Sequence, residues 1–348
     1  MTAEKINLKD LTIKELSELA NDMGEAPFRG KQIFEWLYKK DARSIGEMTN
    51  LSKKFRERLE ERAYIGNALI EEKYVSAIDE TRKYLLKLDD GNFIETVLMK
   101  YDYGLTICVS SQVGCRMGCK FCASTLSGRE RNLTPGEIID QIICVQRDVG
   151  KRISNIVMMG IGEPLDNYDN VMKFLEIVSC NGGLNIGQRH ISLSSCGLAD
   201  KIRMLADRKM QITLSISLHA SDDETRSEIM PVNNKFNIEA LMSACDYYAE
   251  KTSRRVSFEY TLISGVNDSI DAADKLIKLL SGKLCHVNLI PVNAVSETGF
   301  NKSSKKRVEA FKERLEKCGI TATVRRKMGS DINAACGQLR NRKGKVIC

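Results

Sequence analysis

The chain has 348 residues, 43% of them hydrophobic, and a formal net charge of +7. A chain this long can bury a large core and carry one big domain with an accessory one, and no run approaches the roughly 20 apolar residues of a membrane helix. Residues 1–10 alternate charged with apolar side chains and lack the apolar block of a signal peptide, which predicts a cytoplasmic, reducing location where the 12 cysteines are not a disulfide framework.

Residues 9–63 read as several short helices, with apolar faces from Leu11, Leu16, Leu19, Ile33, Phe34, Trp36 and Leu37. Lys39, Lys40, Arg43, Lys53, Lys54, Arg56 and Arg58 lie in this region, and Arg340, Arg342, Lys343 and Lys345 lie in the tail. Such clusters neutralise phosphates without reading sequence, and solvated helix faces look the same. Across 65–100 the pattern changes to strand-like alternation, with Asp89-Asp90-Gly91-Asn92 as a hairpin signal.

From 105 onward, strands are expected at 106–110, 155–160, 190–195, 211–218, 256–262, 286–290 and 321–325. Helices are expected at 134–149, 169–180, 238–251, 270–280 and 304–318. This repetition predicts an α/β fold around a parallel sheet, open or barrel-like, with ligands at the carboxyl ends of the strands. Cys144, Cys180, Cys245 and Cys318 fall in helical patterns and read as small core residues.

Just after the first of these strands, Cys115, Cys119 and Cys122 form a C-x3-C-x2-C loop. A closed zinc site needs four ligands, and so does a fully ligated iron–sulfur cluster. Three thiolates suit a [4Fe–4S] cluster with one iron left open, and Gly114 and Gly118 favour a turning loop over a helix. After the second strand comes Met159-Gly160-Ile161-Gly162-Glu163-Pro164-Leu165, in which glycine permits close backbone approach and Glu163 can accept from an ammonium. On its own that string is also a plain turn.

Period two puts Ser215, Ser217 and His219 on one side of a strand and Ile216 and Leu218 on the other; Ser192 and Ser194 flank Leu193 likewise. Such hydroxyls, facing a barrel lumen, bond either a ligand or the structure itself. Glu95 shares a face with Phe93 and Val97, so a carboxylate among apolar neighbours with a raised pKa is expected there; an edge-strand charge is the alternative.

A three-cysteine loop opening a strand–helix repeat resembles the radical S-adenosylmethionine (SAM) enzymes. That resemblance implies a partial (β/α)6-type barrel, one [4Fe–4S] cluster held by Cys115, Cys119 and Cys122, and SAM at the open iron. Gly162, Glu163, Ser194, Ser217, Leu218, His219 and Asn293 match its SAM-contacting positions, and Phe121 matches an aromatic that packs near the adenine. The segments around Cys108 and Cys336, with Arg131-Asn132-Leu133-Thr134 and Met230-Pro231-Val232-Asn233, further resemble the RlmN/Cfr family of RNA adenine methyltransferases almost end to end.

The family resemblance implies a methyl-carrying Cys336, a resolving Cys108 that forms a transient disulfide with it, and Glu95 as proton acceptor. It implies two SAM per turnover, a reduced ferredoxin or flavodoxin donor, 23S rRNA and tRNA substrates, and a monomer. It divides the chain into an RNA-binding helical accessory domain (1–64), a β-hairpin extension (65–100), the barrel (101–335) and a C-terminal segment (336–348). Pro164 favours the branch that methylates adenine C2; C8-methylating relatives usually carry alanine there and are the alternative. A radical SAM activase of a partner protein would not require Cys336, and a non-catalytic metal- or RNA-binding module would not explain Cys108, Glu95 and Cys336 together.

Overall fold

The apolar alternation that begins near residue 69 and the buried strands that follow build one sheet. The computed structural model describes residues 5–293 and 299–339. Strands β1 (Ile6–Asn7) and β2 (Ala63–Tyr64) pair in parallel and bracket helices α1 (Ile13–Asp22), α2 (Phe28–Tyr38) and α3 (Lys53–Arg62). Thr12 and Glu15 form a reciprocal capping box that starts α1 by satisfying otherwise orphaned backbone N–H groups.

Antiparallel strands β3 (Leu69–Val75), β4 (Arg82–Lys87) and β5 (Phe93–Tyr101) lead into β6 (Gly104–Cys108). A short hairpin, β7 (Gln112–Gly114) with β8 (Arg129–Asn132), stands apart from the main sheet. Then come β9 (Asn155–Met158), β10 (Ile191–Ser195), β11 (Thr213–Ser217), β12 (Val256–Leu262), β13 (Cys285–Pro291) and β14 (Ala322–Val324). The sheet order is β14-β13-β12-β11-β10-β9-β6-β5-β4-β3, with every pair from β6 to β14 parallel.

Within this sheet each strand lies beside the one that precedes it and the one that follows it among the sheet's own strands, the order a βα repeat wound into a partial barrel gives. All seven strands expected after residue 105 are present, each within two residues of its expected bounds. The antiparallel β3–β5 continue that same sheet through β5 and β6.

Helices α4 (Pro135–Val149), α5 (Tyr168–Ser179), α8 (Ile238–Thr252), α9 (Ile270–Leu280) and α10 (Lys305–Lys317) fall where expected. Two more, α6 (Ala199–Asp207) and α7 (Asp223–Ile229), were not expected. They are short and charged, so apolar periodicity is weak; the Asp222 side chain capping the Thr225 N–H is the signal that marks α7. Cys144 and Cys245 are buried and Cys180 is half-buried, but Cys318 is exposed just past the end of α10, so the core reading of Cys318 is corrected. All 11 cysteines among the described residues are free thiols.

The N-terminal helices dock on the barrel through charge. Lys9 is fully buried, is ion-paired with Asp140 of α4, and donates to Gly66 O at 2.7 Å. Arg147 pairs with Asp41, and Lys173 with Glu15 at 2.7 Å. Removing one partner of a buried pair leaves the other charge unpaired in low dielectric, at about 3–5 kcal/mol. Lys9→Met is therefore expected to lower stability by about that amount in chemical denaturation, far more than Lys14→Met at an exposed pair.

Candidate active site

The loop from Cys115 to Gly128 is strapped at its base by the β7–β8 hairpin, where the Cys115 N–H donates to Gly128 O at 2.8 Å. Gly114 and Gly118 have φ of +72° and +74°, a region that strains other residues, so the glycines are what let the loop fold back. Inside it, the Cys122 N–H donates to Cys119 O (3.1 Å) and the Thr125 hydroxyl to Cys122 O (2.9 Å). Cys115, Cys119 and Cys122 all line one cleft of about 930 Å3, counting space open to solvent.

Burial pushes the Cys115 thiol up to about 12 and raises Cys119 and Cys122, so without metal all three hold their protons. Metal binding replaces those protons. Among the described residues, no three His, Cys, Asp or Glu side chains converge as ligands of a single ion would. A cubane spreads its thiolate contacts over three irons, so convergence on one point is not required. The donor set and its glycine-shaped loop fit a cluster held at three irons.

The carboxyl ends of the parallel strands form the rest of this cleft. Glu163 is buried and accepts from Cys196 N–H (2.7 Å) and Leu165 N–H (3.0 Å). Burial lifts its carboxyl above the usual range while those N–H groups pull the other way, so a cationic ligand group would find a fixed acceptor there. Gly162 has φ +105°, and a Cβ on it would meet Gln112 Cβ at 2.7 Å. Gly162→Ala is thus both strained and overpacked, and a melting experiment should show a loss of about 2–4 kcal/mol.

Register aligns polar residues on the lumen side. Ser194 pairs with Ser215 across β10 and β11, and Ser217 pairs with Glu259 across β11 and β12. Ser194, Ser217, His219, Glu259 and Thr261 line the cleft, together with Asn293. His219 Nδ1 accepts the Thr261 N–H at 2.9 Å, which places the ring proton on Nε2. Burial, aided by Arg226, lowers His219 to about 3, so the ring is neutral, and Phe121 meets it edge-on at 4.8 Å. Leu218 is the exception: its side chain is core, its carbonyl accepts from Arg226 at 3.1 Å, and it does not line the cleft.

The C-terminal segment seals against the cysteine loop. The Ala123 N–H donates to Gly337 O (2.8 Å), the Ser124 hydroxyl to Leu339 O (2.7 Å), and the Asn293 amide to Cys336 O (3.1 Å). Cys336 therefore lines the cleft of the three cysteines and also a second one that Cys108 lines. Arg325, at the end of β14, reaches Cys336 Sγ (3.4 Å) and Met159 Sδ (3.1 Å). Its position at a parallel strand's carboxyl end was the sequence signal for it. Cys108 is buried, and burial with neighbouring Cys336 pushes its thiol up to about 12.

Glu95 lines neither cleft. It is 2% exposed, and its Oε1 lies 3.4 Å from Lys83 Nζ, so the expected apolar surroundings are corrected: an equally buried ammonium faces it. Lys83 also donates to Asn333 O at 3.4 Å, three residues before Cys336. Of the N-terminal cations, Arg58 pairs with Glu25 (2.6 Å), Lys53 with Glu57 and Lys39 with Glu35, and Arg56 donates to Gly46 O. The basic tail at 340–345 lies outside the described residues.

Residues 6–65 match the model of the ribosomal RNA large subunit methyltransferase N-terminal domain, and 109–280 match the radical SAM superfamily. The chain is 59% identical over 96% of both chains to a probable dual-specificity RNA methyltransferase RlmN of Clostridium perfringens. The chain belongs to the RlmN family of radical SAM RNA methyltransferases.

Another probable RlmN, from Clostridioides difficile, is 55% identical over 98% of this chain and 99% of its own. A radical SAM methyltransferase crystal structure from Sphaerobacter thermophilus superposes with a TM-score of 0.91 at 43% identity, covering 96% of this chain and 99% of that one. The partial barrel is thus the fold of a radical SAM methyltransferase. Among the described residues, no helix of this RlmN-family chain is long and apolar enough to cross a membrane.

Proposed function

We propose that this chain methylates C2 of an adenosine in the peptidyl-transferase region of 23S rRNA and of the adenosine beside the anticodon in certain tRNAs. The observation that carries the reading is the position of Cys336, which lines the cleft of Cys115, Cys119, Cys122 and Glu163 and also the cleft of Cys108. A sulfur so placed can take a methyl group from one side and deliver it to the other.

Cys115, Cys119 and Cys122 would hold the cluster, which, once reduced by a ferredoxin or flavodoxin, would supply the single electron for cleavage of SAM to methionine and a 5′-deoxyadenosyl radical. Gly162, Glu163, Ser194, Ser217, His219 and Asn293, with backbone near Leu218, bind and orient SAM. Cys336, after giving its thiol proton to solvent, takes a methyl from one SAM and releases S-adenosylhomocysteine; with a second SAM, its S-methyl group gives a hydrogen atom to the radical, which leaves as 5′-deoxyadenosine. The Cys336 methylene radical adds to adenine C2, and the odd-electron adduct passes one electron back to the oxidised ferredoxin- or flavodoxin-type carrier and loses its C2 proton. Glu95, which matches the family's proton acceptor, is the proposed base for that proton; it lies outside both cleft linings, paired with Lys83, which also donates to Asn333 O in the segment before Cys336.

Cys108 as thiolate then attacks Cys336 Sγ. The sulfur–carbon bond breaks, the two sulfurs are oxidised to a disulfide, and the released carbon takes up a proton to become the product methyl. An external dithiol resets the pair.

In the proposed layout, residues 1–64 help bind RNA, 65–100 carry the base, 101–335 form the barrel and 336–348 carry the methyl-bearing sulfur; the enzyme acts as a monomer in the cytoplasm. Anaerobic incubation with SAM, reductant and 23S rRNA fragments, followed by nucleoside analysis, is expected to give 2-methyladenosine. 8-methyladenosine in its place overturns the C2 assignment.

A further inference from the structure

The second cleft encloses about 1960 Å3, counting space open to solvent, between β5–β6 on one side and β14 with the start of α10 on the other. Alternate β5 residues Val97, Met99 and Tyr101 floor it, and Tyr103 continues the row. Val97 pairs with Cys108. Tyr101 lies four residues further along the strand, so roughly 13 Å of groove separates the tyrosines from the reactive sulfurs at a strand rise of about 3.3 Å per residue.

Tyr101 and Tyr103 stack with ring centroids 5.0 Å apart and planes 5° apart, and Tyr103 is 69% exposed. A paired ring with an open face costs apolar exposure that a folded core would remove, and such a face is what an unstacked nucleobase packs on. Lys302, Lys305, Arg326 and Lys327 line the same groove and are exposed, and none of them stands in an ion pair among the described residues. The acidic lining residue, Glu309, has Lys312 at 3.5 Å. The groove thus offers net positive charge beside an aromatic face, whereas several N-terminal cations are already paired within the protein.

We propose that this groove binds a single-stranded stretch of the substrate RNA, with an unpaired base flanking the target adenosine stacked on Tyr103 and adjacent phosphates on Lys302, Lys305, Arg326 and Lys327. The proposal rests on the RNA reading above and adds where the strand lies. The target base itself goes to Cys336; the platform's distance along β5 assigns it to a neighbour.

The test uses anaerobic holoenzyme and 23S rRNA fragments carrying 2-aminopurine at single unpaired positions flanking the target. One position is expected to quench on binding to wild type and not to Tyr103→Ala, with RNA affinity falling about tenfold. Tyr103→Phe should retain both. Lys327→Ala and Lys302→Ala should each lower the slope of log affinity against log salt by about one. Iron content and SAM affinity should be those of wild type throughout. Should Tyr103→Ala lose iron, the salt slopes decide, and unchanged slopes overturn the groove.

Tyr103→Ala that binds and quenches like wild type overturns it as well. If wild type methylates RNA while all these variants match it, the groove fails and the function stands. A wild-type protein that binds no RNA removes both.

Discussion

Cys336→Ala protein is expected to make no methylated adenosine at any SAM concentration, while still binding iron and cleaving SAM to 5′-deoxyadenosine. The sulfur is the only proposed carrier between SAM and base, so its loss is not graded. The backbone around it is held independently of the side chain, through Asn293 to Cys336 O and Ala123 to Gly337 O. Nucleoside mass spectrometry reads the first outcome and chromatography of deoxyadenosine the second. Any methylated adenosine from Cys336→Ala contradicts a sulfur-borne methyl group.

Cys108→Ala is expected to have an equally large effect of opposite appearance, because on the proposed route it stalls the reaction after carbon–carbon bond formation. Protein joined to RNA should accumulate and survive denaturing electrophoresis until nuclease treatment. In the proposed step the attacking form is the thiolate, and burial beside Cys336 pushes the Cys108 thiol up to about 12. Below that value the thiolate fraction grows about tenfold per pH unit, so crosslink resolution should accelerate about tenfold per unit between roughly pH 7 and 9. Single-turnover decay of the adduct measures the slope; a flat profile would place the slow step elsewhere.

Much of the site was legible because it sits on local patterns. The spacing of Cys115, Cys119 and Cys122, the turn at Gly162 and Glu163, and the alternation of Ser215 and Ser217 with Ile216 are each set within a few residues. The barrel forces such loops and faces onto one end. Long-range partners were not legible. Glu95 reads as a carboxylate on an apolar face, yet Lys83 on the neighbouring strand supplies a buried counter-charge.

Arg325 and Cys336 are eleven residues apart, and their contact depends on the path of the chain through Asn333. Leu218 was placed by its neighbours' match, but period two turns its side chain into the core. Tyr101 and Tyr103 carry no motif at all, and only their stacking at an open cleft draws attention to them.

The central claim is that the methyl carbon passes through Cys336 as a methylene radical, and SAM with a fully deuterated methyl group tests it most directly. The account predicts product adenosine whose new methyl keeps two deuterium atoms and gains one hydrogen, with the missing deuterium in 5′-deoxyadenosine. A product methyl that arrives with all three deuterium atoms would mean direct transfer and would contradict the mechanism.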